Sequence, residues 1–168
     1  MSKGPVKVAM IGLGWWGKKM TAVLKKAHGD IEIICAAEPN PAGADFAKEN
    51  GFAYYANYKD ALKHPGVEAV ILATPHSLHA EQIKLAAAAK KHIFCEKPLA
   101  LTKKGAELAV NLCKKNKLVL GMGHERRWDP RLQKCWRWRN LARWVASNKL
   151  KAISATINSP RLIKKTGD

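Results

Sequence analysis

Residues 12–17 read Gly12-Leu13-Gly14-Trp15-Trp16-Gly17, a Gly-x-Gly-x-x-Gly spacing directly after the apolar run Val6–Ile11. That pattern can take the pyrophosphate of a dinucleotide. Its first glycine permits a tight turn, its second lets backbone approach phosphate, and its third lets a helix pack closely on a strand. A helix opening here adds unpaired N–H groups and the positive end of its dipole. Glu38 stands 21 residues after Gly17, at the end of a second apolar run. A carboxylate there can accept hydrogen bonds from both hydroxyls of an adenosine ribose, and it repels a 2′-phosphate. The expectation is therefore NAD, with NADP disfavoured. The bland alternative is a glycine turn beside a surface glutamate. The preceding strand, the following helix and the spacing of the acid together favour the dinucleotide.

Two later segments also carry chemistry-bearing residues. Ala73-Thr74-Pro75-His76-Ser77-Leu78-His79 and Cys95-Glu96-Lys97-Pro98-Leu99-Ala100 each follow an apolar run. Such positions, at strand ends, are where an open parallel sheet binds ligands. Taken singly, each is equally well read as a capped turn or a solvated charge pair.

Alternating strands and helices position these groups. Val6–Ile11, Ile31–Ala37, Val67–Thr74, His92–Cys95 and Leu118–Gly121 read as short buried strands. Helical spacing runs from Trp16 toward Ala27, with Gly29 as a stop. Asn40 caps a helix with Pro41 at its first position and Gly51 after its end. Asn57 caps a smaller unit that Pro65-Gly66 closes with a turn. Ser77 is expected to cap a helix running to Lys90, and Thr102 one running to Asn116. This alternation implies βαβ units, hence a parallel sheet with helices on both faces.

Composition narrows the class. With 47% apolar and 26% charged residues over 168 positions, the chain is globular rather than disordered. No stretch approaches the roughly eighteen apolar residues that a membrane span needs. The apolar start is broken by glycines and followed by Lys18 and Lys19, so it is not read as a signal peptide. The expectation is a cytoplasmic protein with no membrane partner. Cys35, Cys95, Cys113 and Cys135 form no C-x-x-C pair and no metal cluster, and read as buried thiols. The net charge of +17 is uneven: residues 1–120 hold 18 Lys and no Arg, whereas residues 121–168 hold 7 Arg and four of the six Trp. Lysine doublets at 25–26, 90–91 and 114–115 fall near helix C-termini, where cations complement exposed carbonyls.

The ordered set G-L-G-W-W-G, the acid after the second strand, A-T-P-H-S-L-H-A-E and E-K-P-L-A-L-T resembles the Gfo/Idh/MocA family, of glucose–fructose oxidoreductase and inositol dehydrogenase type. G-H-E-R-R-W-D-P at residues 123–130 resembles the family's segment leaving the last nucleotide-domain strand. The resemblance implies a Rossmann domain for NAD or NADP, followed by a second α/β domain that holds a sugar or polyol and mediates oligomerisation. Carried onto this sequence, it places Gly12, Gly14, Trp15, Trp16 and Gly17 on the pyrophosphate and Glu38 on the ribose. Thr74, Pro75, His76 and His79 would line the cofactor cleft, His79 alternatively being a helix residue packed on the sheet. Glu96 and Lys97 would sit near the nicotinamide. Lys97 would touch the substrate hydroxyl, where fixed positive charge stabilises a developing alkoxide.

The pattern breaks after Asp129-Pro130. Residues 131–148 are rich in Trp and Arg, and Lys151–Ser159 alternates like the opening strand of the second domain. The Trp/Arg stretch reads as an out-of-frame segment, as an amphipathic linker helix or, last in order, as a nucleic-acid contact. The expected organisation is thus a doubly wound Rossmann domain over 1–122 and a linker with a truncated start of a second α/β domain over 123–168. Such a chain would bind a nicotinamide dinucleotide but engage a sugar or polyol only with the second domain supplied, and oligomerise poorly without it. No metal is expected. The competing class is a basic binding module acting through the tail.

Overall fold

The computed structural model describes residues 4–26, 29–124, 129–131 and 134. Along the chain run β1 (Val6–Ile11), α1 (Trp15–Lys26), β2 (Ile31–Ala37), α2 (Ala42–Asn50), β3 (Ala53–Tyr55) and α3 (Tyr58–Lys63). Then follow β4 (Ala69–Leu72), a 3-10 turn (His76–Leu78), α4 (His79–Ala88), β5 (His92–Glu96), α5 (Lys103–Lys115) and β6 (Leu120–Gly123). Every strand pair is parallel, in the order β3-β2-β1-β4-β5-β6. The expected α/β doubly wound sheet is therefore present, and its order reverses between β1 and β4.

Side-chain alternation shows why both faces must be covered. Along β1, Ala9 and Ile11 join a core with Cys35, Val70, Leu72, Ile83 of α4 and Ala109 of α5. Val8 and Met10 point the other way, into a core with Ala36, Ala47 of α2, Phe52 and Ile71. A central strand buried on two sides has no room for polar residues at either phase of its period of two. On the second face, Met20 and Leu24 of α1 also border an apolar groove of about 300 Å³ with Ala69, Ile71, Phe94 and Gly121.

The caps follow the sequence in two places: Asn57 and Thr102 accept through their side chains from the N–H groups of Lys59 (2.8 Å) and Gly105 (3.1 Å). At α2 the cap position falls one residue later than expected, on Pro41, which has no capping side chain, while the Asn40 side chain accepts from the Ala42 N–H at 3.0 Å. Ser77 differs. The Leu78 N–H donates to the Pro75 carbonyl at 3.0 Å, forming the 3-10 turn, and α4 starts at His79 with no side-chain cap. Two strands also have other limits than expected. β4 is shorter than Val67–Thr74, because the Val67 N–H turns back to His64 and the Thr74 carbonyl faces the His79 ring. β6 begins two residues after Leu118, whose N–H closes α5 on the Cys113 carbonyl at 2.9 Å. Lys25, Lys26, Lys114 and Lys115 do lie in last helical turns, and Lys91 donates to the Val67 carbonyl at 2.7 Å.

The chain divides into two units after Gly123. In the second, the Arg131 N–H donates to the Asp129 carboxylate at 2.9 Å. The expected strand Lys151–Ser159, Cys135 and most of the Trp/Arg stretch lie outside the described residues. Among the described residues no helix is long and apolar enough to cross a membrane, and no His, Cys, Asp and Glu group gathers to hold a metal ion.

Cys35, Cys95 and Cys113 are free and buried. Burial pushes the thiols of Cys35 and Cys95 up to about 12, the Glu96 charge adding to the effect at Cys95, and burial raises Cys113 as well. A raised folded value means that the proton is held more tightly in the folded state. Their contribution to stability is therefore complete below the ordinary thiol value of 9.0 and falls away as pH rises from there toward about 12. With Cys135 replaced by serine, a thiol reagent at pH 8 should label these three groups only as fast as the fold opens. Labelling that outruns unfolding would contradict their burial.

Candidate functional site

The carboxyl ends of β1 and β4 flank the point where strand order reverses, the place where such sheets leave a crevice. Gly12 leaves β1 with φ +91°, and a Cβ on it would meet the Ala73 carbonyl oxygen at 2.7 Å. A Cβ on Gly17 would stand 1.9 Å from the Gly12 carbonyl oxygen. These two glycines let α1 abut the strand end. Gly14 differs: nothing lies within 4 Å of the position its Cβ would take. It is exposed, at the mouth of the helix, where backbone faces open space. The first N–H groups of α1 have no acceptor within their own helix, and the first turn carries no acid. The arrangement suits an anion.

Glu38 closes the opposite side. One carboxylate oxygen accepts from the Leu13 N–H at 2.8 Å, the other from the Asn40 N–H at 3.0 Å. A carboxylate has about four lone-pair sites, so each oxygen retains acceptor capacity. The loop and this carboxylate fit a dinucleotide: open backbone for the phosphates on one side, a half-buried anion for hydroxyls on the other. Trp15 is 74% exposed, and the Lys19 ammonium lies 5.0 and 5.3 Å from the ring centroids of Trp15 and Trp16. The Trp16 indole N–H is buried with no hydrogen-bond partner among the described residues.

The other two segments meet through His79. Its Nδ1 lies 2.7 Å from the Pro98 carbonyl oxygen and its Nε2 3.0 Å from that of Thr74. Both partners are carbonyl oxygens, which only accept, so which contact receives a ring N–H depends on the tautomer. His79 is wholly buried. Sequence reasoning left it between lining the cleft and packing on the sheet; here it is buried and ties the β4 exit to the β5 exit. Of the two sequence readings, packing against the sheet describes its place. His76 and Pro75 are exposed, with the His76 ring 5.8 Å from that of His79. The Thr74 hydroxyl donates to Gln82 Oε1 at 2.5 Å.

Glu96 is buried at the end of β5, its carboxylate accepting from the Lys97 N–H at 3.2 Å. Gly123 makes room for it, since a Cβ there would meet Glu96 Oε1 at 2.6 Å. Lys97 is exposed and joined to Pro98 by a cis peptide bond. The glycine loop, Glu38, Thr74 and Lys97 thus all leave the same edge of the sheet. Sequence reasoning missed Gln82 and Gly123. Gln82 had a signal, standing one helical turn after His79 on the same face of α4. Gly123 had none, because its role lies in a contact between neighbouring strands.

Known proteins resemble this chain in sequence and fold. The chain is 32% identical to the scyllo-inositol 2-dehydrogenase (NAD(+)) of Bacillus subtilis over 127 residues, which make 74% of this chain and 37% of that protein. It is 28% identical to the D-xylose 1-dehydrogenase [NADP(+)] of Haloarcula marismortui over 77% of this chain and 38% of that one. The apo scyllo-inositol dehydrogenase of Lactobacillus casei superposes with a TM-score of 0.76 at 26% identity, covering 85% of this chain and 43% of that one. The chain therefore spans well under half the length of these proteins. Residues 6–124 match the GFO_IDH_MocA model, described as an oxidoreductase family with an NAD-binding Rossmann fold. The chain belongs to that family, and the unit ending at Gly123 is its dinucleotide-binding domain.

Proposed function

We propose that this domain binds NAD(H) in preference to NADP(H). We further propose that it supplies the cofactor half of a cytoplasmic oxidoreductase acting on CH–OH groups of sugars or polyols. The observation that carries the reading is Glu38, a carboxylate fixed by two backbone N–H groups with acceptor capacity left over. A ribose 2′-hydroxyl can donate to it. A 2′-phosphate brings about −1.5 to −2 further charges and no donor. That one relative bears an NADP(+) name makes this residue, and not the family, the basis for the choice. In this reading Gly12, Gly14, Trp15, Trp16 and Gly17 hold the pyrophosphate. Thr74, Pro75 and His76 line the cleft, with His79 positioning them from behind.

The nicotinamide, when bound, supplies the hydride acceptor or donor. Glu96 sets the backbone of Lys97 through their hydrogen bond, and the exposed Lys97 ammonium offers positive charge to a substrate hydroxyl. A protonated amine is a poor base, so a separate group must take the hydroxyl proton. We place that group, and the wall that orients the substrate, in the part of the relatives that this chain does not match. Residues 123–168 would then be the linker toward such a domain, and oligomerisation would belong to it too.

Titration should show NADH binding more tightly than NADPH, and Glu38→Ala should erode the difference. Losing one charge-assisted hydrogen bond costs roughly 1.5–3 kcal/mol, about ten- to a hundredfold in affinity. Equal affinity of the unaltered chain for the two cofactors would sink the reading.

Turnover by the 168-residue chain alone should be undetectable. Orientation of substrate accounts for ~7–11 kcal/mol of barrier lowering in well-aligned reactions. With myo-inositol, glucose or xylose and NAD, absorbance of NADH should not rise above the blank. A rise that disappears in Lys97→Ala would show the site complete without a further domain.

A further inference from the structure

Gly43 lies buried in the first turn of α2, directly against the stem of Glu38. A Cβ at this position would stand 2.7 Å from Glu38 Cγ, 2.8 Å from Glu38 Cβ and 3.3 Å from a ring carbon of Tyr54. Nothing in its backbone demands glycine: it is helical, and alanine is the better helix former. What demands it is the glutamate. Cβ and Cγ are the root of that side chain, so an intruding methyl group cannot be avoided by turning only the carboxylate. Either the whole side chain changes rotamer or α2 backs away from the end of β2.

Tyr54 completes the seat. Its hydroxyl donates to the Glu38 carbonyl oxygen at 2.7 Å, and the Glu38 N–H donates to the Tyr55 carbonyl at 3.0 Å. The Gly43 N–H donates to the Asn40 carbonyl at 2.9 Å, closing the turn whose own N–H holds one Glu38 oxygen. The carboxylate is thus aimed from four sides: by Leu13, by Asn40, by Tyr54 through the backbone, and by the bare face of Gly43.

We propose that Gly43 is the specificity-determining residue behind Glu38, with Tyr54 as its support: the absence of a side chain at 43 holds the carboxylate where it selects the 2′-hydroxyl. The proposal rests on the reading of Glu38 given above. Gly43 touches no cofactor in this account. It is a positioning residue, and its effect must pass through Glu38.

The test is a double-mutant cycle on the full chain, reading the ratio of NADPH to NADH dissociation constants for wild type, Gly43→Ala, Glu38→Ala and the double variant. Gly43→Ala should lower that ratio by about tenfold, the scale of one charged hydrogen bond misplaced. In the Glu38→Ala background the same change should have no effect on the ratio. A merely structural role would weaken both cofactors alike and leave the ratio untouched. An unchanged ratio in Gly43→Ala, or an equal drop with and without Glu38, overturns the proposal. Glu38→Ala on its own reports on the underlying reading: if it leaves the ratio unchanged, that reading fails whatever position 43 does. Thermal melting accompanies each variant. Should Gly43→Ala not fold, Tyr54→Phe takes its place, with a smaller drop expected in the same direction and an unchanged ratio again overturning the proposal.

Discussion

The contact between Gly17 and the carbonyl of Gly12 is the closest that any described glycine makes, since a Cβ would stand at 1.9 Å and no side chain can be placed there. Everything at the ligand-facing edge depends on it. Because α1 can press against the end of β1, its unbonded N–H groups open beside the strand end instead of being set back by a turn of coil. The Gly12 N–H still reaches the Ala37 carbonyl at 2.8 Å, so β1 and β2 remain tied to the last residue before the loop. The next N–H, that of Leu13, is then presented to Glu38. A close approach of two glycines thereby fixes the distance between an anion-accepting helix mouth and a carboxylate.

The other half of the edge is organised by side chains. Thr74, His79, Gln82 and Pro98 form a short polar chain running from the β4 exit through α4 to the segment after β5. Buried polar groups are costly unless bonded, and here both ring nitrogens of His79 and the Thr74 hydroxyl face partners. The 3-10 turn is part of the same device. It leads directly into α4, whose first residue His79 carries the imidazole that bonds the Thr74 and Pro98 carbonyls.

How much of this could be read from residues alone divides along the range of the interactions. Five of the six strands and the five helices were legible because they rest on local signals: apolar runs of the right length, Asn57 and Thr102 before helical stretches, Gly51 after one; β3, only Ala53–Tyr55, is too short to give such a run and was not expected. The glycine loop was legible because its chemistry needs fixed spacing. Strand limits were less so. β6 starts at Leu120 because Leu118 is spent closing α5 and the Val119 N–H donates to His92 Nδ1, a partner 27 residues away. His79 resisted assignment for the same reason, its acceptors lying in two different loops. Gly43 carried no signal of its own in the sequence, and only the seated Glu38 explains it.

The charge around Glu38 bears on the choice the domain is proposed to make. A basic side chain paired with that carboxylate would neutralise it and offer a 2′-phosphate a partner. Lys18 and Lys19 directly follow the glycine loop, yet their ammonium groups lie over aromatic rings: Lys18 5.1 Å from the centroid of Phe46, Lys19 above the two tryptophans. Among the described residues the ion pairs are all between other groups. Glu38 is held instead by backbone N–H groups, which cannot swing toward an incoming phosphate as a lysine can. The excess of lysine in this domain, part of it gathered at helix C-termini, thus coexists with a carboxylate that, among the described residues, has no ion-pair partner at the place proposed to tell the two cofactors apart. The proposed discrimination would then follow from rigidity as well as sign: a carboxylate fixed by the glycine loop cannot retreat from a 2′-phosphate without disturbing that loop.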